Sequence, residues 1–424
     1  MRFPRYESYK DSGVEWLGEI PRHWQVKRNI GIFDERKKVN RPEMDLLSVT
    51  INQGIIQQNE ITTKKDSSNE DKTKYKVVEK GDLAYNKMRM WQGAIGASSY
   101  DGIVSPAYII LRPRDKAYSR YYHYLYRTPL FIKEANRHSY GLCDDMNSLR
   151  YEHFKTIYSS VPPSDEIDKI TNFLDQKTAE IDEAIAKKEQ LITLLQEQKA
   201  ILINQVVTKG LNPNAPMKDS GVEWLGEIPS HWQVKKNKTL FEERKIPGKE
   251  ELPILSVSLH TGVSEEEQSG DVNLRAKVRI EDKSSYKLVK KGYIAFNMMR
   301  AWQGAIGVVK TEGMVSPAYI VAEPVGKIDG EYFEYLYRTA GFIAEMDRFS
   351  KGITDFRKRL YWDEFKQLLT IFPPQKEQLA IAKHVKRLNS SCDQLSTHVN
   401  HEIEKLVEYR SVLIANTVTG QIRV

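Results

Sequence analysis

"KDSGVEWLGEIPRHWQVKRN" spans residues 10–29 and returns at 218–237 as "KDSGVEWLGEIPSHWQVKKN", altered only at Arg22/Ser230 and Arg28/Lys236. Such a match makes internal duplication the first hypothesis about the fold. The match continues outward. "LLSVT" at 46–50 answers "ILSVS" at 254–258, "GDLAYNKMRMWQGAIG" at 81–96 answers "GYIAFNMMRAWQGAIG" at 292–307, and "GIVSPAYI" at 102–109 answers "GMVSPAYI" at 313–320. "YLYRT" at 124–128 recurs at 335–339. The offset is 208 as far as Gly54/Gly262 and 211 from Tyr75/Tyr286, which places a length change in a tolerant loop between them. A repeat this long is a domain with an appendage rather than a solenoid unit.

The chain has 424 residues, more than one hydrophobic core normally organises. Hydrophobic residues at 40% and charged residues at 29% predict folded domains throughout. The N-terminus carries no apolar signal core, and no run approaches the roughly 18 apolar residues of a membrane span, so a cytoplasmic location is expected. Cys143 and Cys392 lie far apart without ligand-like neighbours and predict packed thiols.

Within each copy, short β-rich runs ("LLSVTI", "YKVV", "AIGASS", "GIVSPAYIIL") are broken by Gly, Pro and polar clusters, and "YYHYLYRTPLFIKEA" is helical in pattern. After "VPP" at 161–163 the text changes: over forty residues pass without Gly or Pro. Apolar residues recur there at Ile167, Ile170, Leu174, Ile181, Ile185, Ile192, Leu195 and Leu202, a heptad-like stripe on a helix on the order of 65 Å long. The same happens after "FPP" at 372–374, with Ile381, Val385, Leu388, Cys392, Leu395, Val399, Ile403, Leu406 and Leu413. Either stripe left in water would cost roughly 1.5–3 kcal/mol per large apolar side chain, so the two helices are expected to bury each other. The short connection from Val207 to Lys218 favours antiparallel pairing. The predicted fold is α+β: two pseudo-twofold-related globular domains, 1–160 and 211–371, separated by long helices at 161–210 and 372–424 that pair as an antiparallel coiled coil.

Residues 1–163 carry 27 Lys+Arg against 20 Asp+Glu, whereas 164–207 carry 5 against 9, so basicity belongs to the globule rather than to the helix. Clusters at "ERKK" (35–38), "TTKK" (62–65, with Lys64 and Lys65), "DKTKYK" (71–76, with Lys72 and Lys74), "NKMR" (86–89) and "FRKR" (356–359) have the composition of phosphate contacts or of ordinary solvated surface. Two similar basic domains in one chain favour the former, since DNA readers match protein symmetry to half-sites.

Catalytic signatures are missing. There is no "GxxxxGK[ST]" loop, no convincing glycine-rich AdoMet loop, and the double prolines lack the residues an adenine methyltransferase places there. Glu70-Asp71-Lys72 and Glu281-Asp282-Lys283 resemble one end of a nuclease motif but have no upstream Pro-Asp partner. His23 and His231 recur inside "IPxHWQV" without an HExxH pair and are read as structural.

"GVEWLGEIPxHWQVK", a variable domain, "PP…EQ…I" and a long helix, all of it twice, resembles the specificity (S) subunit of type I restriction-modification systems, the HsdS family, over essentially the full chain. The resemblance implies a non-catalytic subunit whose two target-recognition domains each read one half of a bipartite double-stranded DNA site, with the paired helices as a ruler. It further implies two methyltransferase (M) subunits that bring AdoMet and methylate adenine, and restriction (R) subunits that bring ATP and Mg. A coiled-coil scaffold that assembles a complex without reading DNA is the competing expectation; a self-contained restriction enzyme would need motifs that are not found.

On that resemblance, positions identical in both copies make shared contacts and divergent positions carry the difference in sequence read. Asn86, Arg89 and Gln92, with Asn297, Arg300 and Gln303, either face DNA or form an inward polar seam beside Trp91 and Trp302. Lys87 against Met298, the loops 56–74 and 264–285, and "SYGLCDDMNSLR" (139–150, with Asn147 and Arg150) against "SKGITDFRKRL" (350–360, with Lys351, Thr354, Arg357, Lys358 and Arg359) are the divergent candidates. The similarity of the domains predicts related, nearly palindromic half-sites. Trp16, Trp24, Trp224 and Trp232, in the near-identical peptide, are expected to be core or partner-facing aromatics.

Overall fold

In each half of the chain the repeated peptide opens as a two-stranded antiparallel ladder, Tyr9–Asp11 with Glu19–Pro21 and Met217–Asp219 with Glu227–Pro229. Its second half, Gln25–Arg28 or Gln233–Lys236, pairs antiparallel with the strand that precedes each long helix, Tyr158–Val161 or Leu369–Phe372. The computed structural model on which these assignments rest describes residues 3–51, 54–60, 71–141, 147–249, 251–259, 262–265, 285–352 and 358–424.

The last residue of the repeat closes the ladder from inside. Asn29 is buried and its side-chain oxygen accepts from Tyr126 and Ser159, both at 2.8 Å, while its amide donates to the Phe154 carbonyl at 3.1 Å. Asn237 repeats this with Tyr337 (2.9 Å), Thr370 (2.6 Å) and the Phe365 carbonyl (3.1 Å). A buried amide bonded through both its oxygen and its nitrogen in this way specifies one packing of the strands around it. Aromatic rings fill the surrounding core: Phe33, Tyr122, Tyr126, Phe131 and Phe154 in one half, Phe241, Phe333, Tyr337, Phe342 and Phe365 in the other.

Each half carries an antiparallel four-stranded sheet. In the first the order is Phe33–Glu35, Tyr108–Pro113, Leu83–Asn86, Ile95–Ala97; in the second it is Phe241–Glu243, Tyr319–Pro324, Ile294–Asn297, Ile306–Val308. "GIVSPAYIIL" is two strands, Gly102–Val104 and Tyr108–Pro113, because Pro106 interrupts the run. "YYHYLYRTPLFIKEA" is likewise two helices, Tyr118–Leu125 and Pro129–Arg137. Thr128 ends one and caps the next by accepting from Phe131 N, with Pro129 in the first turn, where a missing N–H costs nothing.

The long helices run Ser164–Lys209 and Gln375–Val418. Contacts divide the chain into two compact units, residues 1–188 with 400–424, and residues 189–399. The helices pair antiparallel within each. In the first unit Asp182 accepts from Arg410 at 3.2 Å and Lys188 donates to Glu402 at 2.6 Å; in the second Lys199 donates to Asp393 at 2.9 Å, and Ile203 and Val206 join the cluster of Ile381, Ala382 and Val385.

One run of buried and half-buried positions on the first helix follows alternating steps of four and three: Ile167, Thr171, Leu174, Thr178, Ile181, Ile185, Lys188, Ile192, Leu195, Lys199, Leu202 and Val206, with Ile170, Val207 and Thr208 buried outside it. In the second the run is Gln378, Ile381, Val385, Asn389, Cys392, Ser396, Val399, Ile403, Leu406, Arg410, Leu413 and Thr417, with Leu388 half-buried and Ala382 and Val418 buried beside it. Leu395 departs from the predicted stripe. It stands one position off this register, which Ser396 occupies instead, and is 53% exposed. Ile170 and Leu174 lie in the cluster of Trp24 and Tyr121, so the helix start belongs to the globular core.

Candidate nucleic-acid interface

The turn that follows the third strand of each sheet, Asn86–Gly93 and Asn297–Gly304, collects the identical polar candidates. Asn86 Oδ1 accepts from Met88 N at 2.9 Å and Asn297 Oδ1 from Met299 N at 3.0 Å, so each asparagine shapes the chain reversal. The indoles of Trp91 and Trp302 donate to the carbonyls of Met88 and Met299 at 3.0 and 2.9 Å. Gly93 and Gly304 close the turn at φ 84° and 95°, and a Cβ on either would press on Ile132 or Ile343. The asparagines and tryptophans therefore shape the turn. Arg89, Gln92, Arg300 and Gln303 are exposed and project from this braced frame.

The divergent candidates adjoin it. Leu149 N donates to the Lys87 carbonyl at 2.9 Å, and Leu360 N to the Met298 carbonyl at 2.8 Å, which sets Asn147 and exposed Arg150 beside the first turn and Lys358 and exposed Arg359 beside the second. Met298 packs on the core, whereas Lys87 is half-buried. Two cations of the second set have carboxylate partners: Lys358 donates to Asp347 at 2.8 and 3.1 Å and stands over the Trp302 ring, and Lys351 pairs with Glu364. That segment is less cationic than its sequence implies. Lys72 and Lys74 lie elsewhere, in a turn where Asp71 accepts from Thr73, with Lys72 half-buried and Lys74 exposed. Lys64, Lys65, Thr354 and Arg357, together with Cys143, Glu70 and Glu281-Asp282-Lys283, lie outside the described residues.

Sequence reading missed a further repeated pair. Lys76 donates to the Tyr108 carbonyl and Lys287 to the Tyr319 carbonyl, each at 2.7 Å. Burial holds both ammonium groups below their ordinary pKa, against the pull of Glu35 and Glu243, and for Lys76 the neighbouring Lys87 and Lys37 add to the fall. The signal is "YKVV" at 75–78 against "YKLV" at 286–289, a lysine repeated between apolar letters.

His23 and His231 meet the carboxylates of Glu166 and Glu377, and Trp24 and Trp232 are fully buried, consistent with structural roles. Among the described residues no three His, Cys, Asp or Glu side chains cluster as metal ligands, and no helix is long and apolar enough to cross a membrane.

No family profile matches the chain, and no curated protein matches it. Solved structures do. A chain described under the structural basis of complex assembly and conformational transition of the type I R-M system aligns with TM-score 0.66 at 11% identity, covering 94% of this chain and 98% of its own. The HsdS subunit from Thermoanaerobacter tengcongensis aligns with TM-score 0.54 at 12% identity, covering 95% and 98%. The chain thus shares, over nearly its whole length, the fold of type I restriction-modification S subunits.

Proposed function

We propose that this chain is the DNA-specificity subunit of a type I restriction-modification complex. Each unit reads one half of a bipartite duplex site, and the paired helices set the spacing and carry the methyltransferase subunits. Catalysis belongs to the partners: methyltransferase subunits, two per chain, hold AdoMet, and restriction subunits hold ATP and Mg. What carries the reading is one solvent-facing Arg/Gln turn built twice, once per unit, on a fold shared with S subunits. Arg and Gln are side chains that recognise purine edges, and one such element per half-site is what a bipartite reader needs.

The test is single-molecule sequencing of genomic DNA from cells expressing the chain with its methyltransferase subunit, scoring methylated adenines. A bipartite motif that disappears when the chain is omitted is expected. An assembled complex whose methyltransferase is active with another specificity subunit but yields no motif here would leave a scaffold without DNA reading.

A further inference from the structure

The two units differ least where they are most exposed in the turn, and most at its border. Met88-Arg89 and Gln92 correspond to Met299-Arg300 and Gln303 in identity, exposure and bracing. On the adjoining strip, Lys87 faces Met298 in correspondence, Asn147 faces Lys358, Ser148 faces Arg359 and Arg150 faces Tyr361. The strip's backbone is nonetheless the same, with Tyr140 bridged to Ser148 and Lys351 to Arg359.

We infer, resting on the DNA-specificity reading above, that the two half-sites share one guanine-containing base pair at an equivalent position, read by Arg89 in one and Arg300 in the other. They differ at adjoining positions, read by Lys87, Asn147 and Arg150 in one unit and by exposed Arg359 and Tyr361 in the other, where Met298 packs on the core and Asp347 holds Lys358. The target is then related between its halves without being a perfect repeat.

Three observations select this over other uses of the turn. A dock for two copies of one partner requires the same border on both units, and the border changes in charge and size. A phosphate grip has no use for an apolar neighbour, yet Met88 and Met299 stand 39% and 44% exposed beside the arginines; base edges and thymine methyls in a groove do use one. The turn is also pre-shaped by Asn, Trp and Gly, so the guanidinium fork is presented from a rigid mount, as two-bonded readout of guanine requires.

The experiment is methylome sequencing of the complex carrying wild-type chain, Arg89→Ala or Arg300→Ala, with assembly followed by native mass spectrometry. In the wild type, both half-sites should carry a G·C pair at the same distance from their methylated adenines. Arg89→Ala should relax discrimination at that position in one half-site by roughly tenfold or more and leave the other half unchanged, and Arg300→Ala should do the reverse. Should either variant fold poorly, the lysine replacement keeps the charge, removes the fork and gives the same readout. A bipartite motif without a common base pair overturns the inference and leaves the specificity function standing. So does a variant with an unaltered motif, a uniform loss at all sequences (a phosphate grip), or a variant that no longer binds the methyltransferase subunit (a docking turn). Absence of any wild-type motif from an assembled complex sinks the function reading itself.

Discussion

Glu166 accepts the indole N–H of fully buried Trp24 at 2.9 Å on one carboxylate oxygen. The other oxygen meets His23 Nε2 at 2.5 Å. Glu377 repeats the clamp with Trp232 at 3.0 Å and His231 at 2.7 Å. Both glutamates sit in the first turn of a long helix, where the dipole favours negative charge. The near-identity of residues 10–29 and 218–237 thereby acquires a physical cause: each copy is the socket that seats the start of its own helix.

Replacing Glu166 by alanine leaves a buried indole donor unpaired and also removes the acceptor of the Tyr6 hydroxyl, at 2.9 Å. Glu377→Ala breaks the Trp and His bonds. A buried donor left unsatisfied costs about 1–3 kcal/mol, so Glu166→Ala should destabilise its unit by about 2 kcal/mol and Glu377→Ala by somewhat less. Urea unfolding with hydrogen exchange resolved by unit measures both; an unaffected first unit would remove the clamp from the account.

His123 and Glu334 are equivalent positions that accept the same strand N–H, from Ala97 at 3.1 Å and from Val308 at 2.9 Å. Burial pushes the imidazole from 6.5 down to about 4. Between those values the unfolded chain binds a proton that the folded chain refuses. The contribution of His123 is therefore complete above pH 6.5 and is lost as pH falls toward 4, by up to about 3 kcal/mol. Glu334 is pushed upward by burial, against Val308 N–H and Arg338, so its contribution is present at low pH and is lost as pH rises through its folded value. Exchange at Ile95–Ala97 should quicken between pH 7 and pH 5 while that at Ile306–Val308, corrected for intrinsic rate, should not. His123→Gln should flatten the first profile.

Arg36 and Arg244 correspond in sequence but are set in different surroundings. Arg36 holds the buried Asp82 at 2.6 and 3.1 Å and Glu79 at 2.9 Å. Arg244 pairs with Glu323 at a far more exposed site. Arg36→Ala leaves a buried carboxylate uncompensated and should cost about 3–5 kcal/mol; Arg244→Ala should cost about 0–1 kcal/mol. Thermal unfolding of the two variants checks the contrast, and equal losses would contradict it.

The duplication and the helices were legible because repetition and periodicity are local properties of the text. The clamp was not: His23 and Glu166, 143 positions apart, meet only after a strand pair sets Gln25 against Val161. Charge was misjudged for the same reason. Lys351 and Lys358 read as free cations until Glu364 and Asp347, from separate turns of chain, are set against them. At the breaks, Pro106 and the Thr128-Pro129 step interrupt runs whose apolar letters look continuous.

Leu395 shows how hydrophobic identity can mislead about register. The seam steps from Cys392 to Ser396 to Val399, and from Leu406 to Arg410 to Leu413, so polar residues occupy seam positions and a leucine next to one of them faces water. Burial, rather than apolarity, sets what a substitution costs. Leu413, 2% exposed in the cluster of Ile181 and Ile422, should lose about 2–3 kcal/mol on conversion to alanine. Leu395→Gln should stay within about 0.5 kcal/mol, because the side chain leaves no cavity and exposes nothing new. Denaturant midpoints of the two variants decide the register: a large loss at Leu395 would shift the seam by one residue and bring Ser396 out of it.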